Sequence, residues 1–226
     1  MTLIRRYLDL LLLAVLGGLL IALPVVDLTV TGWFYDPVEG FWLKSHPLAR
    51  FIFDLVPWVS RSLLLGLVLF LLAAWTFRKT HPWFVARRRS ALFLLLVAIV
   101  GPMLLVNSVF KDQWGRARPS QVIEFGGDKQ FTRAAQRTDQ CAKNCSFVSG
   151  HASVGFYFLA FAFVWPRRRT LWLAVGTAAG LGVGLVRIVQ GGHFFSDVIF
   201  SGIVVYLTAI ALHALLFRSA PESRPA

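Results

Sequence analysis

Charge is scarce in this sequence. Only 15% of the 226 residues are charged, and eleven acidic residues stand against twenty-three basic ones. Soluble domains carry roughly 25% charged residues, so this chain lacks the means to clothe itself in a polar surface. It also lacks an internal repeat, a low-complexity tract and a second composition regime, which argues for one domain. It has no convincing metal-ligand cluster and no phosphate-binding loop ending in Gly-Lys-Ser or Gly-Lys-Thr, so no metal or cofactor is expected.

Hydrophobic residues are abundant instead, at 57%. They fall in runs at about 7–26, 56–77, 90–110, 148–165, 171–190 and 195–217, close to the roughly 20 residues that cross about 30 Å of hydrocarbon. The expected fold is all-α: a polytopic bundle of six transmembrane helices in one domain, 1–218, with a short tail, 219–226. Arg5 and Arg6 ahead of a leucine run could begin a signal peptide. The run is long, however, and no clear small-x-small cleavage site follows it. Gly176, Gly180 and Gly184 are spaced for close helix packing in the fifth run. His46, His81 and His213 read as interfacial or packed histidines.

The net charge of +12 raises nucleic acid as a partner. The basic residues sit in short clusters between apolar runs, which is a topology signal instead. Arg5, Arg6, Arg78, Lys79, Arg87 to Arg89, Arg167 to Arg169, Arg218 and Arg224 share one side with only Asp9 and Glu222, a net +10. The other side holds eleven basic and nine acidic residues, a net +2. The positive-inside rule makes the first side cytoplasmic, together with both termini. Trp33, Trp42, Trp58 and Trp114 then fall near the outer interface, and Trp75, Trp83, Trp165 and Trp172 near the inner one. Two outer connections are long. Residues 27–55 read as a partly helical interfacial segment or a packed lid, and residues 111–147 as a polar loop that is either functional or disordered.

Three clusters carry reactive side chains, and all lie at outer helix ends. Lys111, Arg116, Arg118 and Pro119 follow the third run. Fixed cations of this kind stabilise the equatorial oxygens of a phosphoryl group in transfer, and the bland alternative is ordinary juxtamembrane charge. Ser149, Gly150 and His151 open the fourth helix, where free N–H groups favour an anion; Ser149 could equally be only an N-cap. Arg187, His193 and Asp197 span the turn between the last two helices. His193 and Asp197 are four apart, so a carboxylate can hold one ring nitrogen and leave the other to attack. A capping pair would look the same. Cys141 and Cys145 are both in the polar outer loop. Their pairing depends on local geometry.

Taken in order, Lys111, six residues, Arg118-Pro119; Ser149-Gly150-His151; and Arg187, five residues, His193, three residues, Asp197 resemble the type-2 phosphatidic acid phosphatase superfamily. Its members include lipid phosphatases and vanadium haloperoxidases. The resemblance implies a lipid phosphatase that needs no metal, and the charge-derived topology places its active site on the outer side. In that pattern His193 is the nucleophile of a phosphohistidine intermediate, Asp197 orients it, and His151 protonates the leaving oxygen. Lys111, Arg118, Arg187, Ser149 and Gly150 bind phosphate. Val148 stands where the family usually has Pro, and Val186 where it often has Ser; neither removes a reacting group. The run from Asn144 to His151 further resembles bacterial lipid A phosphatase-type members. A soluble-type haloperoxidase and a degenerate transporter are the rival classes. The implied partners are a lipid phosphate and the membrane of a bacterial cell.

Overall fold

A computed structural model describes residues 3–217, without the side chains of residues 3–6. The expected tail, 219–226, and Arg218 before it lie outside the described residues. The fold is all-α, 73% helical, with no strand among the described residues. Among the described residues the longer helices are α1 Leu3–Ala22, α2 Val25–Gly32, α3 Pro47–Thr76, α4 Pro82–Gln113, α5 Gly150–Val164, α6 Arg169–Val189 and α7 Phe195–Leu216.

Among the described residues, four segments are long and apolar enough to cross a membrane: Pro47–Thr76, Pro82–Gln113, Pro166–Val189 and Phe195–Leu216. The first expected span is not straight. It bends by 80° between α1 and α2 and counts as a fifth span only if the pair is taken together. Pro24 stands at the break, where its ring and missing N–H interrupt the helical ladder. The fourth expected span is the short α5, which reaches roughly 22 Å at 1.5 Å per residue. Residues 145–150 ahead of it are all buried, so it starts inside the fold rather than at its edge.

Local chemistry explains most helix boundaries. Pro47 and Pro82 occupy first-turn positions, where a missing N–H costs nothing. The His46 ring accepts from Leu48 N at 3.3 Å, so α3 begins well before the expected residue 56. In α4 the bonding widens to the π pattern over Ile99–Phe110, around Pro102. The Pro102 carbonyl is recovered by the Asn107 side chain, which donates to it at 2.7 Å. Such widened turns recur at functional sites.

The core is built from α4, α5, α6 and α7. Phe93, Leu94, Val97, Tyr157, Ala160 and Ala209 form one buried group, and Ala152, Phe156, Ile188, Val198 and Val205 another. The glycine spacing in α6 is packing, as the sequence suggests. A Cβ at Gly176, Gly180 or Gly184 would come within 2.5 Å of Leu159, Phe156 or Val198. The closeness of α6 to α5 and α7 fixes the end of α6 that carries Arg187. By contrast, α3 is peripheral: only 6% of its most apolar stretch is buried, and Leu65, Leu69 and Leu72 are exposed. His213 stacks on Phe217 near the end of α7.

The long connection 114–149 is irregular but packed, with Ala117, Val122, Phe125, Ala134 and Phe147 buried. Cys141 and Cys145 are joined by a disulfide, with a Cα separation of 5.7 Å. That pairing was open in the sequence.

Candidate active site

The C-terminal ends of α4 and α6 and the N-terminal ends of α5 and α7 meet at one end of the bundle. Every reactive residue singled out in the sequence gathers there. Lys111 closes α4, His151 sits in the first turn of α5, Arg187 in the last turn of α6, and Asp197 in the first turn of α7. Helix N-termini carry free N–H groups and the positive end of the macrodipole, so α5 and α7 both present anion-binding ends to this region.

Lys111, Arg118 and Arg187 lie close enough to interact electrostatically with one another. No carboxylate forms an ion pair with any of them among the described residues. Neutral oxygens hold them instead. Lys111 Nζ donates to Asn144 Oδ1 at 2.8 Å, and Arg118 Nη2 to the Asn144 carbonyl at 2.7 Å. Arg187 Nη1 donates to Gln190 Oε1, and its guanidinium lies 4.7 Å from the Phe53 ring centre. The other contact of Phe53 is with His151, stacked at 4.4 Å with 12° between the planes. Arg187 Nε and His151 Nε2 are buried without a hydrogen-bond partner. Three crowded cations and two orphaned ring or guanidinium nitrogens describe a site built for an anion.

Glycines let the backbone come this close. A Cβ at Gly150 would sit 2.5 Å from Asn107 Oδ1, and one at Gly192 would sit 2.2 Å from Arg187 Nη2. Gly191 has φ +63, in the left-handed region that favours glycine, with Phe41 packed against it. Ser149 is buried, and its hydroxyl accepts from Ala152 N at 3.4 Å as an N-cap. It caps α5 within the same turn that presents Gly150 and His151.

His193 is almost fully buried, at 1% exposed. Its Nδ1 lies 2.6 Å from the Ser146 carbonyl, so Nδ1 carries the proton and Nε2 keeps the lone pair. Burial first, then the nearby charges of Arg187 and Lys111, pushes its pKa down to about 3. The ring is therefore neutral near pH 7, as a nucleophile must be. Asp197 is not in direct hydrogen bond with the ring. Its Oδ2 is 3.8 Å from Nδ1, beyond hydrogen-bond range. The carboxylate instead accepts from Ser146 Oγ at 2.5 Å, Phe194 N at 2.9 Å and Arg116 Nη1 at 2.5 Å.

Arg116 does not join the other cations. It is 1% exposed and is ion-paired instead, held by Asp197 and by Asp27 Oδ2 at 2.8 Å. Burial opposes its charge, but Asp197 and Asp27 outweigh that and hold its pKa above the usual arginine value. Asp27, Asn144, Ser146 and Phe53 are site residues that the motifs do not reveal. Asp27 had a signal available, since a lone acid beside an apolar run is a functional candidate by default. Asn144 and Ser146 had none beyond their nearness to the second motif. Val148 is buried against Val106, Ala134 and Phe147. Among the described residues, no group of three His, Cys, Asp or Glu side chains is placed to hold a metal ion.

The PAP2 superfamily model matches residues 90–221, which span all three motifs. The lipid A 4'-phosphatase of Francisella tularensis subsp. novicida (strain U112) is 39% identical over 209 residues, covering 86% of this chain and 88% of that protein. The lipid A 1-phosphatase of Rhizobium etli is 36% identical over 152 residues, 61% of this chain and 62% of that one. Phosphatidylglycerophosphatase B of Escherichia coli (strain K12) is 28% identical over 232 residues, 88% of this chain and 86% of that one. No solved structure matches the chain.

Proposed function

The chain belongs to the PAP2 superfamily, and on that premise we propose that it removes a phosphate from a lipid A-type glycolipid at the outer face of a bacterial inner membrane. That it is a membrane lipid phosphatase follows from the family and its relatives. The finer reading rests on the lipid A phosphatases among those relatives and on the charge asymmetry of the loops.

The observation that carries the chemistry is the set of three unneutralised cations around His151 and His193. A phosphate monoester brings negative charge that Lys111, Arg118 and Arg187 lack inside the protein. With the phosphate seated, His193 Nε2 attacks phosphorus. A P–N bond forms as the P–O bond to the lipid breaks, and the leaving alkoxide takes a proton from His151. Water then attacks phosphorus and gives a proton back to His151. The P–N bond breaks, inorganic phosphate leaves, and the imidazole is restored. The cations stabilise the equatorial oxygens in both steps, where charge is greatest. Ser149 and Gly150 set the turn against which the phosphate rests.

The test is phosphate release from purified protein in detergent, across lipid A, undecaprenyl pyrophosphate, phosphatidylglycerophosphate and phosphatidic acid. The expected result is the highest kcat/KM on lipid A. Equal or higher values on a glycerophospholipid would overturn the substrate assignment, and no release from any of them would overturn the reading as a whole.

A further inference from the structure

The sequence pattern pairs His193 with Asp197, yet the structure separates them by 3.8 Å. What lies between is the Ser146 residue. Its carbonyl receives His193 Nδ1 at 2.6 Å, its hydroxyl donates to Asp197 Oδ2 at 2.5 Å, and its N–H donates to the Arg116 carbonyl at 2.9 Å. Ser146 is thus clamped at three points, and it is fully buried. Two of the three clamps run to residues of one buried ionic cluster.

That cluster reaches well beyond the motifs. Arg116 donates to Asp197 on one side and Asp27 on the other. Its Nη1 also reaches Ser196 Oγ at 3.0 Å, and its Nε reaches the Thr132 carbonyl at 2.9 Å. The Phe194 ring lies 4.4 Å from the guanidinium. Asp27 in turn accepts from Ser196 N at 2.7 Å and Ser196 Oγ at 2.5 Å. The bent first span is therefore tied through α2 to the first turn of α7, next to the nucleophile.

We propose that Ser146, Arg116 and Asp27 are positioning residues for His193: Asp197 acts on the imidazole through the Ser146 peptide, and the Asp27–Arg116 pair holds that carboxylate in place. This rests on His193 being the nucleophile. Two carboxylates and one guanidinium leave the cluster with one net negative charge. A ring that gains a phosphoryl group on Nε2 while keeping its Nδ1 proton becomes a cation. A fixed negative charge a few ångströms away favours that cation, and more so where water is excluded. Removing the charge of Asp27 neutralises the cluster, and removing the Ser146 hydroxyl frees the peptide that aims the ring. Neither change touches Lys111, Arg118 or Arg187, so substrate binding is spared.

The experiment is single-turnover quench with a radiolabelled lipid phosphate on the full chain in detergent. It compares wild type, Ser146→Ala, Ser146→Thr and Asp27→Asn. The rate of phosphohistidine formation is measured per titrated active site, with KM and melting temperature alongside. Ser146→Ala and Asp27→Asn should each slow phosphorylation about 10- to 100-fold, the range expected when a reacting group is misaimed by about 1 Å. KM should stay within about twofold, since the phosphate contacts are intact. Ser146→Thr, which keeps the hydroxyl, should recover most of the rate. A merely structural role would lower the melting temperature or the active fraction but leave the rate per site unchanged. Asp27→Asn, close to isosteric, decides the matter if the Ser146 variants do not fold. Wild-type rates per site in the soluble variants would overturn the proposal, as would a raised KM with an unchanged rate. Absence of any phosphohistidine in wild type would instead overturn the nucleophile reading itself.

Discussion

Gly192→Ala offers a direct measure of how much the site depends on the placement of Arg187. A Cβ at this position would lie 2.2 Å from Arg187 Nη2 and 2.8 Å from its Cζ. An ordinary contact is about 3.5 Å, so the guanidinium must retreat by roughly 1.3 Å. The obstacle is the far end of a flexible side chain, and Gly192 has no left-handed φ. The substitution is therefore mild for the backbone. For the phosphate it is not, because an arginine that grips two oxygens loses its geometry over such a distance. Losing one donor to a developing anion costs about 100- to 1,000-fold, and a displaced donor should cost less, about 10- to 100-fold in kcat/KM. Gly191→Ala is the control. Its φ of +63 and its 2.5 Å approach to the Phe41 ring load the penalty onto folding instead, with roughly 1–2 kcal/mol from the backbone alone. Phosphate release and thermal unfolding are measured on both variants in detergent. Gly192→Ala should lose activity with little change in melting temperature, and Gly191→Ala the reverse. Wild-type kcat/KM in Gly192→Ala would refute the assignment of Arg187 to the phosphate.

His193→Ala should abolish turnover while the protein still inserts and folds; near-wild-type phosphate release would remove His193 as the nucleophile. Because cationic side chains take the place of metal charge in the proposed site, activity should survive excess chelator and fall with vanadate, a five-coordinate mimic of the transferring phosphoryl group. Loss to chelator, recovery with magnesium and indifference to vanadate would reverse that account. A reporter inserted near Lys129 should read as outside and one fused after Phe217 as cytoplasmic; swapped signals would move the site to the inner face. With pH the sign follows from His193, whose pKa is about 3 when folded against roughly 6.5 in an unfolded chain. The unfolded chain binds the extra proton between those values, so this contribution to stability is full above about pH 6.5 and is lost as pH falls toward about 3. Melting temperature in detergent should drop over that window in wild type and drop less in His193→Gln; parallel slopes would contradict the buried neutral ring.

Fold class was legible because composition leaves a chain like this few options. Apolar runs of the right length can only be helices in lipid, and among the described residues four segments, or five with the bent first pair, are helices long and apolar enough to cross. What pattern did not show was where those helices deviate. The bend at Pro24 leaves a second short helix inside what reads as a loop, and α3 starts at Pro47, among charged and aromatic residues that blur its hydrophobic edge. The first deviation brings the Asp27 side chain to Arg116 and Ser196, and the second brings the Ala49 carbonyl to Gln190. The short α5 has the same origin. Its N-terminus is drawn inward so that Ser149, Gly150 and His151 meet Asn107 and the end of α6.

The site was legible as a set of residues but not as a circuit. Arg116 and Arg118 are two apart in one basic cluster, and nothing local separates their roles. Arg118 leans on a neutral carbonyl and keeps its charge available, while Arg116 spends its charge on two buried carboxylates. The choice is made by Asp27, eighty-nine positions away, which no motif connects to either residue. Pairing is what distinguishes the two classes of cation. In the proposed site the cations for substrate hydrogen-bond to neutral partners, so an incoming phosphate displaces no ion-paired carboxylate from them. The one meant for architecture is neutralised twice over, so the phosphate has no reason to seek it. A buried guanidinium with one carboxylate removed is costly, by about 3–5 kcal/mol for a broken buried pair. That cost is also what holds the Asp197 carboxylate in place beside Ser146 and His193.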